Sequence, residues 1–158
     1  MKKPLAVNEL GHWQFKGKLD HSDYFGFLYA IENKETGQWY IGKKNFFIRG
    51  KKSSKQYGKE HSWRTYTGSS AALNKDISKY GKDKFNFIII DLYKTKGGLY
   101  YAEAYTQMLL EVMTTYLTDG KTPRFYNRQI AAIRFVPKEE VSLKTKRFIT
   151  KLKGKLYA

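Results

Sequence analysis

The hydrophobic pattern of the first third of the chain predicts a β-hairpin. Two apolar, β-prone stretches, Phe25–Asn33 and Gln38–Gly42, flank a turn-forming run at residues 33–37. After the hairpin, Lys43–Gly50 is interpreted as a short helical turn buried through its two phenylalanines. A loop rich in lysine, serine and glycine follows at residues 51–61, and we expect it to be mobile without a ligand.

The hairpin places two tyrosines in register. If the turn is centred between Lys34 and Glu35, Tyr29 and Tyr40 are direct cross-strand partners on one face, with Cβ atoms about 5 Å apart. Aromatic residues favour strands and the chain is 16% aromatic, so packing is the ordinary role of such a pair. A catalytic role therefore needs support from other residues.

The remaining pattern alternates helix, strand and helix. The apolar centre of the third strand is typical of a central strand that is covered on both faces. The order β-β-α-β-α, followed by a tail, predicts a small mixed α/β domain. The expected elements are a helix capped by Ser69 or Ser70 and ending near Tyr80, a strand at Phe85–Tyr93, a long helix at Leu99–Leu117 and a basic helix at Glu139–Lys153.

Length and composition are consistent with one domain. We divide the 158 residues into an N-terminal extension at 1–23 that packs loosely, a domain at 24–135 and a basic tail at 136–158. No apolar run approaches the roughly 20 residues that span a bilayer, and the first 18 residues lack a signal-peptide core. We therefore expect a soluble cytoplasmic protein without membrane partners. The absence of cysteine excludes disulfides and thiolate zinc sites.

Charge indicates a polyanionic partner. The chain has 30 basic against 14 acidic residues, a formal net charge of +16. Two segments concentrate this charge: residues 43–65 carry eight basic residues against Glu60, and residues 138–158 carry seven against two glutamates. Such clusters favour contact with nucleic-acid phosphates. The candidate contacts are Lys43, Lys51, Lys52, Lys55, Lys59, Lys146, Arg147 and Lys151.

Hydrolysis of a phosphodiester needs an activated water, a proton acceptor and positive charge for the developing oxyanion. A tyrosine accepts the proton only if its pKa is lowered, and Lys43, Lys44 and Arg49 follow the second tyrosine closely. Glu103, in the first turn of the predicted long helix, is the candidate ligand for one divalent ion, because magnesium needs only one or two carboxylates. Its alternative role is to complement the helix dipole, which contributes under about 1 kcal/mol.

Taken together, these motifs resemble the GIY-YIG nuclease family. The first motif is Phe27-Leu28-Tyr29 and the second is Trp39-Tyr40-Ile41-Gly42. The string Trp63-Arg64-Thr65-Tyr66-Thr67-Gly68-Ser69-Ser70 resembles the phage-encoded branch that is similar to homing endonucleases. The resemblance covers about residues 24–130, with Phe27 standing where the family usually has glycine.

The resemblance implies a fold, a reaction and a set of roles. The implied fold is a three-stranded antiparallel sheet flanked by helices. The implied reaction is cleavage of a DNA phosphodiester, dependent on Mg²⁺ or Mn²⁺ and leaving a 5′-phosphate. Tyr29 would act as general base or position the attacking water, Tyr40 would support it, Glu103 would bind the metal, and Asn127 would organise the site. We expect double-stranded DNA as substrate and a monomer or homodimer as the active species.

Two questions stay open at this point. Arg49 lies one residue short of the offset usual for the family's arginine, so Arg64 or Lys44 is an alternative source of positive charge. The alternative functions are a non-catalytic nucleic-acid-binding module on a degenerate nuclease scaffold and, less favoured, a basic structural protein such as a ribosome-associated factor.

Overall fold

A computed structural model describes residues 3–157 and contains a three-stranded antiparallel sheet. The strands are β1, Gly26–Asn33; β2, Trp39–Asn45; and β3, Phe85–Tyr93, in the spatial order β2-β1-β3. The expected mixed α/β class with a three-stranded antiparallel sheet is thus confirmed. The expectation that β3 is central is wrong, because β1 pairs with both other strands and is buried along almost its whole length.

Both outer edges of the sheet are covered by short extended segments. Along β2, the Trp39 N–H donates to the Arg124 carbonyl, and the Tyr126 N–H donates to the Trp39 carbonyl. Along β3, Gln14 makes the equivalent pair of hydrogen bonds with Phe87 and Ile89. These contacts pair strand-edge groups that would otherwise be open to intermolecular pairing.

Within residues 3–157, three α-helices flank the sheet: α1, Ala71–Tyr80; α2, Lys96–Leu109; and α3, Leu143–Leu156. Each begins after a side-chain cap, in which Ser70, Thr95 or Ser142 accepts from a backbone N–H in the first turn. The capped helix ending at Tyr80 is confirmed.

Two predicted helices have different bounds. The expected helix at 99–117 is wrong at both ends. Thr95 starts α2 earlier, and just after α2 ends Glu111 adopts a positive φ of 53°, which is incompatible with a continuing helix. The tail helix starts at Leu143 rather than 139, because Glu139 instead accepts hydrogen bonds from the backbone N–H groups of Lys94 and Thr95.

The predicted helical turn after the hairpin is also wrong. Strand β2 continues to Asn45, and the Phe46 N–H then donates to the Phe25 carbonyl. Phe47 pairs with Glu60 in an isolated antiparallel bridge, which closes the lysine-rich loop between them. The mobility of that loop stays a prediction.

The sheet separates two hydrophobic cores. One face carries Phe27, Tyr29 and Ile31 beneath α1 and the N-terminal segment, whereas the other face packs against α2 and α3. Loose packing of the N-terminal segment is wrong, because Leu10, Trp13 and Leu19 are all buried in the first core. The division into segments ending at residues 23 and 135 stays a prediction. No helix within residues 3–157 has the length and apolar character needed to cross a membrane.

Candidate active site

The hairpin register brings the two tyrosines together, although not as direct partners. Tyr29 lies opposite Gly42, and Tyr40 lies opposite Ile31. The expected direct pairing is therefore wrong, because the turn is centred one residue later than predicted. This changes each cross-strand partner by two residues, which preserves the face of the sheet. The two rings lie on that face with centroids 6.1 Å apart.

Two glycines make room for the hydroxyl end of Tyr29. A Cβ atom added at Gly42 would lie 2.5 Å from the Tyr29 Cζ and 3.0 Å from the Tyr40 Cε1. At Gly68, whose φ is +83°, it would lie 3.3 Å from the Tyr29 Oη. Gly42 of the second motif is thus required because the Tyr29 and Tyr40 rings approach its Cα closely. Any larger residue at this position would collide with them.

A third tyrosine completes the cluster. Tyr66 lies against Tyr29, and the two rings are almost perpendicular, with centroids 6.2 Å apart. Tyr40 Oη lies 3.2 Å from the hydroxyl of Ser69. Sequence reasoning gave Tyr66 no role, although it lies within the string 63–70 that carries the family resemblance. Its position inside that motif is the signal that would have singled it out.

Glu103, on α2, lies beside strand β2. Its side chain is only 14% exposed, and its Oε1 is 3.9 Å from the Lys43 ammonium. Burial raises the pKa of Glu103, while the charge and the backbone N–H of Lys43 oppose that rise. The carboxylate therefore lies close to β2 and does not extend into bulk solvent.

The surroundings of Tyr29 and Tyr66 favour the protonated form of each hydroxyl by raising its pKa. Burial raises the pKa of Tyr29 well above its usual value, and the neighbouring Tyr40, Tyr66 and Glu103 raise it further. The pKa of Tyr66 is also raised, chiefly by burial. The expectation that neighbouring cations lower the pKa is wrong for Tyr29 and Tyr66. Burial is the main cause at Tyr29, so the protonated hydroxyl is favoured there.

The two lysines after the second motif have different surroundings. Lys43 lies against Glu103 and over the Tyr100 ring, with its ammonium 4.1 Å from the ring centroid. Lys44 is on the tyrosine face, and its ammonium is 4.1 Å from the centroid of the Tyr66 ring and 3.3 Å from the His61 Nε2. Burial and the charge of Lys43 lower the pKa of Lys44.

Neither candidate arginine shows a contact with the tyrosine cluster. Arg49 is exposed, with its guanidinium 5.6 Å from the Phe25 ring centroid. Arg64 forms an ion pair with Glu60 and donates to the Glu9 carbonyl. Of the three basic residues considered for the family's arginine, Lys44 is the one that the structure shows against a tyrosine of the cluster.

Asn127 fixes the backbone of β2 between Tyr40 and Gly42. Its Oδ1 accepts from the Ile41 N–H at 3.0 Å, and its Nδ2 donates to the Ile41 carbonyl at 2.8 Å. The Gln107 amide donates to the same carbonyl at 3.0 Å. Asn127 is 4% exposed. Its amide therefore supplies hydrogen-bond partners to two buried backbone groups of Ile41, as a neighbouring strand would. Gln107 was not identified from the sequence.

The donors that could hold a divalent ion are few. Within residues 3–157, no three or more histidine, aspartate or glutamate side chains converge on one position. Glu103 is a largely buried carboxylate at the edge of the tyrosine cluster, with Lys43 as its cationic neighbour. This donor set fits a hard ion that is bound through one carboxylate and otherwise through water and substrate oxygens.

Apart from Lys43 on β2, the predicted DNA-contacting residues lie in two surface regions. Lys51, Lys52, Lys55 and Lys59 are exposed in the loop between β2 and α1. Lys146, Arg147 and Lys151 are exposed on α3, which packs on the opposite face of the sheet from Tyr29. The positive charge thus extends over both sides of the molecule.

The sheet, with a tyrosine on each of its first two strands and a helix-borne glutamate beside them, has the organisation expected from the GIY-YIG resemblance. Residues 13–130 match the family described as "Putative endonuclease segE, GIY-YIG domain", and the chain therefore belongs to the GIY-YIG family. It is 32% identical over 123 residues to "Putative endonuclease segC" of Enterobacteria phage T4. That alignment covers 78% of this chain and 50% of the relative, so the chain spans about half the length of that protein. No solved structure matches the chain.

Proposed function

We propose that the protein is an endonuclease that hydrolyses phosphodiester bonds of double-stranded DNA with one divalent ion, Mg²⁺ or Mn²⁺. The observation that carries the proposal is the cluster of Tyr29, Tyr40 and Tyr66 on one face of the sheet, with Glu103 nearby on α2. Glu103 is near enough to raise the pKa of both Tyr29 and Tyr66. Membership of a family described as an endonuclease supports the same conclusion.

Glu103 is the proposed metal ligand. Burial makes its charged form costly, and a divalent ion offsets that cost more strongly than Lys43 does at 3.9 Å. When bound, such an ion supplies positive charge at the scissile phosphate and lowers the pKa of a coordinated water. Lys43 would then be free to move towards substrate phosphate, because its ion pair with Glu103 is long and weak.

The tyrosine cluster is proposed to position the attacking water. A buried phenol with a raised pKa donates a hydrogen bond rather than accepting a proton, which favours positioning over general-base catalysis for Tyr29. Tyr40, next to Ser69, would support the same position. Lys44 would provide positive charge near the substrate phosphate on the tyrosine face. Asn127 and Gln107 would act as positioning residues, by holding the backbone from which Tyr40 and Gly42 project.

Plasmid cleavage with Mg²⁺, and with a chelator, tests the proposal. Glu103→Gln and Tyr29→Phe should each reduce the cleavage rate by about 10²-fold or more, because each removes a group placed at the reacting atoms. Glu140→Gln and Tyr116→Phe are matched controls in which an exposed residue undergoes the same chemical change, and they should cleave normally.

The outcomes separate the alternative functions. If Glu103→Gln cleaves DNA at the rate of the unmodified protein, Glu103 is not the metal ligand. If the unmodified protein binds DNA in a salt-sensitive manner but cleaves it with neither ion, the protein is a non-catalytic binding module, because phosphate contacts alone produce that salt dependence. The lysine-rich loop at 51–61 is proposed to contact the DNA backbone in either case.

A further inference from the structure

A groove lies on the side of the sheet opposite Tyr29, between α3, the start of β2 and the N-terminal segment. Its volume is about 650 Å³, within the range of sites that enclose small organic ligands. Ile88 and Leu152 contribute to its apolar lining, and Phe148 adds an aromatic ring that is only partly buried. None of the residues assigned to the metal or tyrosine cluster lines it.

The charge of this groove is strongly positive. Two of its lysines are engaged at their ammonium groups, since Lys144 donates to the Lys16 carbonyl at 2.8 Å and Lys155 pairs with Glu32 at 3.0 Å. Arg147 and Lys151 lie on the same face of α3, and neither forms an ion pair within residues 3–157. Lys16 also lines the groove, so Arg147 and Lys151 are the two cations that α3 offers beside this apolar surface with neither an ion pair nor a hydrogen bond at the charged group within the described residues.

This combination recognises a specific ligand chemistry. Phosphate groups are attracted to arginine and lysine, and a flat unsaturated ring is attracted to aromatic and apolar side chains. An unpaired nucleotide carries both groups side by side. A base-paired duplex offers the phosphates, but its bases are stacked inside and cannot reach Phe148, which lies 6.4 Å from Trp39 between ring centroids.

We propose that this groove binds an unpaired segment of a nucleic-acid strand, separately from the site of cleavage. The proposal rests on the proposed nuclease function only for the identity of the strand as DNA. Arg147 and Lys151 contact its phosphates, and Phe148 stacks on a base. A protein with this second site favours substrates in which a duplex adjoins a single-stranded region.

The test is a binding measurement in chelator, where cleavage plays no part. Fluorescence anisotropy would follow a labelled oligothymidylate of about 12 nucleotides, which is within the usual size of single-strand sites. The variant Arg147→Gln/Lys151→Gln removes these two groove cations on α3. The matched control Lys146→Gln/Lys153→Gln removes the same charge from α3, at positions outside the groove lining. Phe148→Leu preserves apolar packing but removes the aromatic face.

The groove variant should bind the oligothymidylate at least about tenfold more weakly than the control variant, and Phe148→Leu should weaken binding by about fivefold to a hundredfold. Both charge variants should bind a blunt duplex equally. The Glu103→Gln protein should bind the oligothymidylate like the unmodified protein, so that failure of the nuclease proposal leaves this result unaffected.

Other outcomes overturn the proposal. Equal loss in both charge variants would show that only net charge matters. Competition by thymidine monophosphate at the same concentration of nucleotides would assign the groove to a free nucleotide, and competition by polyglutamate would assign it to an acidic peptide. Thermal unfolding of each variant identifies any loss of binding that reflects loss of folded protein.

Discussion

Substitution of Gly42 by alanine tests the geometry of the tyrosine cluster directly. The added methyl group would lie on the Tyr29 hydroxyl and 2.5 Å from its Cζ, whereas carbon atoms pack at about 3.5–4.0 Å. An outward movement of about 1 Å is therefore needed at a ring that is 1% exposed and packed against Trp13 and Phe27. Overpacking of this kind destabilises a protein by about 1–3 kcal/mol.

The assay combines stability and cleavage. Gly42→Ala should lower the melting temperature by about 2–4 °C for each kcal/mol lost. It should also reduce cleavage by more than its folded fraction explains, because Tyr29 no longer occupies its position. Gly154→Ala is the matched control. It places a methyl group in α3 with nothing within 4 Å and should stabilise the protein by about 0.5–1 kcal/mol.

A double-mutant cycle isolates the proposed cause. In a Tyr29→Leu background the ring is absent, so Gly42→Ala should cost at least about 1 kcal/mol less than in the unmodified protein. An equal cost in the two backgrounds would show that the effect of alanine does not come from contact with Tyr29. The packing of Tyr29 above Gly42 would then be refuted, and with it the geometric basis of the second motif.

Two further predictions concern His12, whose Nε2 lies 2.9 Å from the Tyr66 carbonyl oxygen, and the two side-chain amides that donate to the Ile41 carbonyl. The pKa of His12 is lowered from 6.5 to about 4, chiefly by burial and then by Lys82, so the unfolded state binds its proton more readily and stability falls as the pH falls from about 6.5 to 4. Because His12 is partly exposed, the loss in the free energy of unfolding is reduced to about 1–2 kcal/mol. Measured by urea unfolding, the stability of His12→Gln should therefore depend less on pH between about 6.5 and 4 than that of the unmodified protein. An identical pH dependence of the two proteins would contradict this prediction. Asn127→Asp places a carboxylate oxygen against the Ile41 carbonyl and should cost about 1–3 kcal/mol in urea unfolding. Gln107→Met removes one of two donors to that carbonyl and should cost less; the reverse order would reject Asn127 as the main clamp.

The elements that could be predicted from the sequence are those fixed by local signals. Ser70, the following apolar positions and Gly81 define α1, and the bounds of β3 agree with its apolar run. The hairpin pattern predicts the first strand closely, but it centres the turn one residue too early and ends the second strand at Gly42 instead of Asn45. The central position of β1 depends on pairing with β3, about 60 residues away in the chain, and no local pattern specifies that partner.

The sequence predicts which residues belong to the candidate site better than it predicts their positions relative to one another. Tyr29, Tyr40, Glu103 and Asn127 follow from motif order, whereas the role of Gln107 depends on where α2 meets β2. The sequence also offers no measure of burial, and this is why the direction of the Tyr29 pKa was mistaken.

The direction of that pKa changes how the cluster would work. A lysine lowers the pKa of a phenol only if its charge acts more strongly than the cost of burying the phenolate. Here the ammonium of Lys43 is directed to Glu103 and that of Lys44 to Tyr66 and His61, so neither charge is concentrated on Tyr29. Because Glu103 adds negative charge nearby, ionisation of Tyr29 is opposed further. A cation bound at the proposed Glu103 site would reduce that opposition, whereas the larger effect of burial would remain. Because burial is the main cause of the raised pKa, a cation at the proposed Glu103 site would not by itself ionise Tyr29, which fits the proposed role of Tyr29 in positioning the water.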